Sequence, residues 1–456
     1  MPIQHDTICA VATPPGTAGL AVIRVSGAHA IAMCNELFRS KAPLTEAKDH
    51  TIHYGWWSTA TVRIDAVTVM IYRSPNSYTG EDVIEIGCHG GHHVIQQILE
   101  SLLQQNARLA EPGEFTKRAF LNGKMDLTQV EAVGDIIHSQ SRLGAQTAAR
   151  QLAGGFTKRL EEFREALLHA TGLLELELDF SEENIEFVSK PELRRIITGL
   201  MELASTLASS AQAAEVLRSG FVCAIVGYPN AGKSSLFNAL LQRERAIVSP
   251  LPGTTRDFLT EPLFVQGYSL LLHDTAGIRS TLDSIELQGI YLTTSLIEQS
   301  NLILVVNDIT QGLGHSASLV DDIQQRFPTS TVLLIHNKFD AVHPTSHVAD
   351  GNASATLFCS ATEGLGLDDL RSELLTQVRA STEGIQDVLV NRRQAILLGQ
   401  MAQHLGSAIA AIDTGLDNDC IAVDIRSALR LLGEINGETW SPDVLDAVFS
   451  RFCIGK

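Results

Sequence analysis

A chain of 456 residues, 45% apolar and 19% charged, is too apolar to be disordered and long enough for about three domains. Its formal net charge of −18 excludes a protein that coats nucleic acid through bulk electrostatics, but not one that meets RNA through a local basic face. The cysteines (Cys9, Cys34, Cys88, Cys223, Cys359, Cys420 and Cys453) are odd in number and scattered, with no C-x-x-C pair, which fits a reducing compartment without a structural zinc site.

The start, MPIQHDTICAVATPPG, lacks a basic stretch followed by an apolar one, and runs such as FVCAIVG are far too short to cross a bilayer. A cytoplasmic chain without a membrane partner is expected. Residues 1–121 mix strand-like runs (TICAVAT, GLAVIRVSG, ATVRIDAVTVMIYRS) with helical ones (HAIAMCNELF, HHVIQQILESLLQQ), an α+β module. From 122 to 219 the pattern is helical: Leu127, Val130, Val133, Ile136 and Ile137 recur at helical spacing, as do Leu160, Phe163, Leu167 and Leu168. The acidic stretch DFSEENIEF, residues 179–187, interrupts it without an assignable role.

Between 220 and 380, FVCAIVG, LLLHD, LILVVND and TVLLIHN are continuous apolar runs of strand length separated by helical stretches, the pattern of a doubly wound α/β domain with a buried parallel sheet. Residues 381–456 are helical again, and the last helix has Ser441 as N-cap, Pro442 at its first position and Asp443 beside it. Its apolar face carries Leu445, Val448, Phe449 and Phe452. The expected architecture is therefore multidomain. An N-terminal α+β domain precedes a discontinuous helical domain, 122–219 with 381–456, into which a Ras-like P-loop domain is inserted.

The strongest motif is GYPNAGKSS, Gly227 to Ser235, after one apolar run and before a helical one. It fits G-x-x-x-x-G-K-[ST]: Gly227 and Gly232 let backbone N–H groups wrap phosphates, Lys233 supplies charge, and the Ser234 hydroxyl can ligate Mg2+. PGTTRD offers Thr255 as a second Mg2+ ligand, and HDTAG places Asp274 to hold the metal through water and Gly277 at the terminal phosphate. NKFD gives Asn337 and Asp340 to read a guanine edge with Lys338 along the base, and CSATEG puts Ser360 and Ala361 at guanine O6. An ATPase has no use for N-K-x-D, so the set predicts a guanine-nucleotide switch.

Ile278 stands where Ras-like proteins place a glutamine that orients the attacking water. Glu286 is a nearby substitute, although on position alone it reads as a solvated helix carboxylate. Asn230 could help ligate a monovalent cation, or could simply tolerate the backbone angles of the loop. His89, His92 and His93 in CHGGHH suggest a metal at first sight, but the paired glycines and the lack of a distant partner speak against one.

Together these motifs, with DTICAVATPPGTAGLAVIRVSG, SYTGEDVIEIGCHGG, EPGEFTKRAFLNGKMDLTQVEAV and the terminal FCIGK, closely resemble the bacterial tRNA-modification GTPase family MnmE (TrmE) over essentially the whole chain. The resemblance implies a potassium-activated GTPase that installs an aminomethyl or carboxymethylaminomethyl group at C5 of the wobble uridine of certain tRNAs. It implies a homodimer, and a heterotetramer with the FAD-dependent MnmG (GidA) subunit. It also implies a one-carbon unit from methylene-tetrahydrofolate, with 5-formyl-tetrahydrofolate as the bound form. The implied GTP contacts are Asn230, Ala231, Gly232, Lys233, Ser234, Ser235, Ser249, Thr254, Thr255, Asp274, Thr275, Ala276, Gly277, Asn337, Lys338, Asp340, Ser360, Ala361 and Thr362. The implied K+ ligands are Asn230, Ser249, Leu251 and Thr254, and Glu286 becomes the water-orienting carboxylate. Folate contacts fall on Arg24, Glu85, Lys124 and Lys456.

Cys453, four residues from the end, has the layout of a prenylation box, but lysine is not among its usual final residues. The resemblance instead places this cysteine beside the folate pocket as a candidate nucleophile. A ribosome-assembly GTPase is the rival reading. It usually appends a basic RNA-binding domain, whereas residues 381–456 hold six basic and ten acidic residues.

Overall fold

The computed structural model describes residues 6–179, 190–242, 259–274, 296–328, 330–342, 356–385 and 388–456. It divides into two compact units, Met1–Gly134 with Gln151–Glu202 and Leu397–Lys456, and Asp135–Arg150 with Leu203–Ile396. Each unit takes helices from the two stretches whose sequence is helical.

The first unit is built on a seven-stranded sheet of β1 (Ile8–Val11), β2 (Ala18–Ser26), β3 (Phe38–Arg39), β4 (Thr51–Ser58), β5 (Arg63–Tyr72), β6 (Val83–Gly90) and β7 (Arg108–Leu109), in the order 3-4-5-6-2-1-7. All neighbours are antiparallel except β1 and β7. Alternate residues face one side: Ala21, Ile23 and Val25 on β2, Val67, Val69 and Ile71 on β5, and Ile84 and Ile86 on β6 are buried. They pack with Ile31, Leu37, Ile98 and Leu102 from the helices Ala30–Leu37 and His92–Gln104. Strand β4 is among the elements that residue periodicity did not mark out, because Thr51–Ser58 (TIHYGWWS) carries aromatics on both faces.

The C-terminal helix runs over Pro442–Phe449 as expected, with the Val444 N–H donating to Ser441 Oγ at 3.4 Å. Leu445, Phe449 and Phe452 bury against Phe120, Leu127, Val130 and Val133, with Val448 packed at the edge. This packing fixes the tail that follows. The helix Arg392–Thr414 is long and apolar enough to span a bilayer by composition. Its residues Leu398, Met401, Leu405 and Ala408 are nonetheless fully buried at helical spacing, as in the core helix of a folded unit.

A charge network closes one end of this unit. Arg118, 5% exposed, pairs with Asp6, Glu81 and Glu114 at 2.7, 3.1 and 3.0 Å. Arg108 pairs with Asp6 at 2.8 Å and Glu114 at 2.7 Å. Burial pushes the Asp6 and Glu114 carboxyls up, but the two arginines, joined at Glu114 by the Glu111 N–H, outweigh it and hold both below the usual carboxylate range.

Carboxyls depressed by folding add stability that is present above their unfolded pKa of ~4 and is lost as pH falls through the folded value. All three tryptophans, Trp56, Trp57 and Trp440, lie in this unit, so intrinsic fluorescence reports its unfolding. Glu114→Gln breaks the buried pairs and is expected to cost about 3 kcal/mol in denaturant titrations followed by tryptophan emission at pH 7. The same variant should lose stability less steeply than the wild type below pH ~4.

The second unit contains β8 (Phe221–Val226), β9 (Leu259–Val265), β10 (Tyr268–Asp274), β11 (Leu302–Asp308), β12 (Thr331–Asn337) and β13 (Thr356–Phe358), ordered 13-12-11-8-10-9. Five strands are parallel, as the apolar runs predicted. β9, which no apolar run marked, is antiparallel and lies at the edge. Pro262 in β9 has no N–H to donate, and an edge strand is where a sheet tolerates that.

Each face has its own core. Cys223, Ile225, Leu272, Leu304 and Ile335 pack under the helices Lys233–Gln242 and Leu367–Ser381. Ala224, Val226, Ile303, Val305 and Val332 pack under Ala317–Arg326. With both faces covered, the chemistry is confined to the strand ends.

Candidate functional site

The loop 227–232 leaves the C-terminal end of β8 and opens the helix Lys233–Gln242, so its backbone N–H groups and the positive end of the helix converge on one spot. Lys233 Nζ donates to the carbonyls of Gly227 and Tyr228, both at 2.9 Å, and bridges the loop it belongs to. Ser234 Oγ donates to Asp274 Oδ2 at 2.7 Å at the end of neighbouring β10. A hydroxyl and a buried carboxylate meeting in this way form the hard oxygen set that suits Mg2+. Asn230 takes φ 63°, so the left-handed backbone alone accounts for an asparagine there, and its side chain is exposed. Tyr228 turns away from this spot: its hydroxyl lies 3.3 Å from Ser318 Oγ and its ring 4.9 Å from the His315 ring.

Asn337 is the hinge of the base-reading side. It is 2% exposed, its Nδ2 donates to the Ala231 carbonyl at 3.0 Å, and its Oδ1 accepts from the Ala361 N–H at 3.1 Å. The sequence expects it to read guanine; in the structure its amide also braces the loops of Ala231 and Ala361, with one N–H and one lone pair not used in those two bonds. Lys338, at φ 64°, turns the chain so that Asp340 is exposed. Lys338 Nζ pairs with Asp308 Oδ2 at 2.6 Å. Burial pushes the Asp308 carboxyl up, but Lys338 and the Thr310 hydrogen bonds outweigh it and hold the group below the usual range. Sequence reasoning missed Asp308, whose only signal is the acidic end of the run LILVVND. Ser360 is buried and closes a turn by accepting from the Glu363 N–H at 3.2 Å, while Ser235 and Thr362 are exposed.

Ser249, Leu251, Thr254, Thr255, Thr275, Ala276, Gly277, Ile278 and Glu286 lie outside the described residues, as does most of the acidic stretch 179–187.

In the other unit, inward-facing Ile23 and Val25 place Arg24 on the opposite face, and the register of β2 with β6 sets Glu85 directly across from it. Arg24 Nη2 and Nε lie 2.7 and 2.8 Å from Glu85 Oε1. Its guanidinium stands 5.3 Å from the Tyr78 ring centre and 5.6 Å from that of Phe115. Arg24 Nη1 donates to the Gly455 carbonyl at 3.2 Å, and the Phe115 N–H donates to the Lys456 carbonyl at 3.2 Å. Burial and the nearby Arg24 push the Lys456 ammonium pKa down. Arg24, Glu85 and the tail therefore form one charged cluster, with Tyr78 and Phe115 as aromatic walls that the sequence reading did not name. Lys124 Nζ donates to the Pro75 carbonyl at 3.0 Å, on the loop that also carries Tyr78. Cys453 is exposed two residues before Gly455.

Close approach requires glycine at positions in both sites. A Cβ on Gly232 (φ 90°) would stand 2.2 Å from Asn337 Nδ2, and one on Gly455 (φ 97°) would stand 2.3 Å from the Val11 carbonyl oxygen. Gly232→Ala must displace the Asn337 amide and leave a buried group without its partner, so GDP affinity is expected to fall by about tenfold or more with the fold retained. Isothermal titration against GDP, with circular dichroism as the fold check, measures this.

Family models described as "GTP-binding protein TrmE N-terminus" and "MnmE helical domain" match residues 7–124 and 127–453. A Flavobacterium psychrophilum protein named tRNA modification GTPase MnmE is 40% identical over 462 residues, covering 100% of both chains. Its namesake from Porphyromonas gingivalis is 41% identical over 471 residues, covering 99% of this chain and 98% of that one. A third, from Bacteroides fragilis, is 38% identical over 468 residues and again covers 100% of both. With phosphate-loop, N-K-F-D and C-S-A segments converging at the strand ends, and with relatives matched from end to end, this chain belongs to the MnmE (TrmE) family and is a GTP hydrolase involved in tRNA modification.

Proposed function

We propose that this chain is a potassium-activated GTPase that acts in the cytoplasm as a homodimer, with an inserted GTPase domain and an FAD-dependent MnmG-type partner. Its reaction adds an aminomethyl or carboxymethylaminomethyl group to C5 of the wobble uridine of certain tRNAs, using a tetrahydrofolate one-carbon unit. The observation that carries this reading is the presence, in one chain, of the phosphate-loop site and of the Arg24–Glu85 cluster closed by the C-terminal tail.

In the nucleotide site, Lys233 exchanges its two loop carbonyls for the terminal phosphates, where its charge is better placed. Ser234 and Thr255 would hold Mg2+, with Asp274 orienting Ser234, and a bound Mg2+ neutralises phosphate charge. Asp340 meets the donor edge of guanine, and Glu286 orients the attacking water in place of Ile278. Asn230 and the backbone of Ser249, Leu251 and Thr254 would hold K+, which would supply the positive charge that an arginine finger otherwise brings.

In the other unit Glu85 meets the pterin's donor edge, and Arg24, Lys124 and Lys456 meet the anionic tail of the folate. Cys453 is held beside this cluster as a thiol for chemistry on the uridine. The closed charge cluster favours a site of chemistry over a bare switch of the ribosome-assembly kind.

Mass spectrometry of tRNA nucleosides from a deletion strain should show loss of the wobble-uridine modification, and an unchanged profile would reject the reading. Exchange of KCl for NaCl should slow GTP turnover at least about tenfold if a bound K+ supplies transition-state charge; equal rates would remove the K+ site. Asp340→Asn reverses the hydrogen-bond polarity toward the base and should lower GTP affinity at least about tenfold while raising that for XTP. A competition assay between the two nucleotides measures it.

A further inference from the structure

β11 and β12 end side by side, with Asn307 opposite His336 and Asp308 opposite Asn337. Asn307 and His336 are 0% and 3% exposed. The Asn307 amide nitrogen donates to the Gly312 carbonyl at 3.1 Å and lies 2.8 Å from His336 Nδ1. A carbonyl only accepts, so this nitrogen carries the hydrogens, and His336 Nδ1 must accept. The amide oxygen of Asn307 accepts from Ser316 Oγ at 2.8 Å. The imidazole is therefore neutral with its proton on Nε2, and burial pushes its pKa down in the same sense.

Among the described residues, this pair connects to the N-K-F-D and C-S-A loops and to the segment that meets Tyr228. The His336 ring stacks on Phe358 at 5.0 Å and 23°, and Phe358 lies 5.4 Å from Phe339, the third residue of N-K-F-D. The Cys359 N–H donates to the His336 carbonyl at 2.9 Å, and the Phe339 N–H donates to the Cys359 carbonyl at 3.0 Å. At the other end, Ser316 lies between His315 and Ser318, the two residues that meet Tyr228 of the phosphate loop.

We propose that the Asn307–His336 hydrogen bond positions the guanine-reading loops against the phosphate loop, so that its loss loosens the nucleotide without slowing hydrolysis. Asn307 and His336 are positioning residues, buried behind the loops. The proposal rests on the guanine reading of N-K-F-D given above. A buried polar pair that only fills the core would affect stability alone, and the two roles separate experimentally.

His336→Phe keeps a ring against Phe358 and removes the acceptor. His336→Asn restores an acceptor near the Nδ1 position and removes the ring. Leu333→Ala, on the same strand and 3% exposed, reports simple loss of packing. The readouts are stopped-flow release of a fluorescent GDP analogue from the full chain, steady-state GTP hydrolysis, and Tm.

His336→Phe should release GDP about tenfold faster, because a buried donor is left without its partner, while His336→Asn stays within about threefold of the wild type. The kcat at saturating GTP should be unchanged in both. Leu333→Ala should lower Tm and leave GDP release unaltered. The proposal is overturned if His336→Phe releases GDP at the wild-type rate, or if His336→Asn or Leu333→Ala releases it as fast as His336→Phe. A wild-type chain that binds ADP as tightly as GDP would instead sink the guanine reading itself, before any variant is compared.

Discussion

The nucleotide site depends on one side-chain amide. Loops that leave the ends of parallel strands have no ladder to hold them, so their mutual placement must come from side chains. Asn337 supplies it with a donor on Ala231 and an acceptor on Ala361. An aspartate would set an acceptor against the Ala231 carbonyl, and a hydrophobe would leave both loop groups without this partner. The requirement propagates: Gly232 must lack a Cβ because the amide occupies that space, and Lys338 must turn left-handed to bring Asp340 outward.

The Arg24 cluster is held together by a different device. Its two charged residues face each other across antiparallel strands, and the third side is a backbone carbonyl of the tail. Phe449 and Phe452 anchor that tail in a small apolar cluster, so its position follows from packing several residues away from the charges. The exposed thiol of Cys453 is therefore placed by the burial of its neighbour Phe452 and by the absence of a side chain at Gly455.

Much of this was legible in the residues, for definable reasons. LILVVND reads as a buried strand because all seven of its residues are covered, and β11 is that strand. Ser441, Pro442 and Asp443 announce a helix start through local chemistry, which needs no knowledge of the rest of the fold. The phosphate loop is legible because its glycines and lysine answer to a ligand. Less was legible where a residue's role is fixed by a distant partner. Asp308 looks like the end of a strand until Lys338 reaches it, and nothing in N-K-F-D says that Asn337 also braces Ala231 and Ala361. Tyr78 and Phe115 lie in segments that carried the family resemblance, yet nothing local says that they flank Arg24. Edge strand β9 escaped because an antiparallel strand containing proline has no apolar run to mark it.

The two sites also show how the burial pattern of a sheet decides where function can lie. Around Arg24 on β2 and Glu85 on β6 the neighbouring Ile23, Val25, Ile84 and Ile86 hold the core, while Arg24 and Glu85 are only partly buried on the opposite face. A slip of one residue would exchange the two sets and drive Arg24 into the apolar cluster, so register and chemistry are fixed together. In β8 and β11 both faces are covered, and no side chain within the strand can reach a ligand. Polar groups there are restricted to the ends, where Asn307, Asp308, His336 and Asn337 gather at neighbouring positions of β11 and β12. A half-covered antiparallel sheet offers a face and a fully covered parallel sheet offers only its edge of strand ends. This chain uses each for what it can support: a charged recessed cluster on the first, and loops gathered at the strand ends on the second.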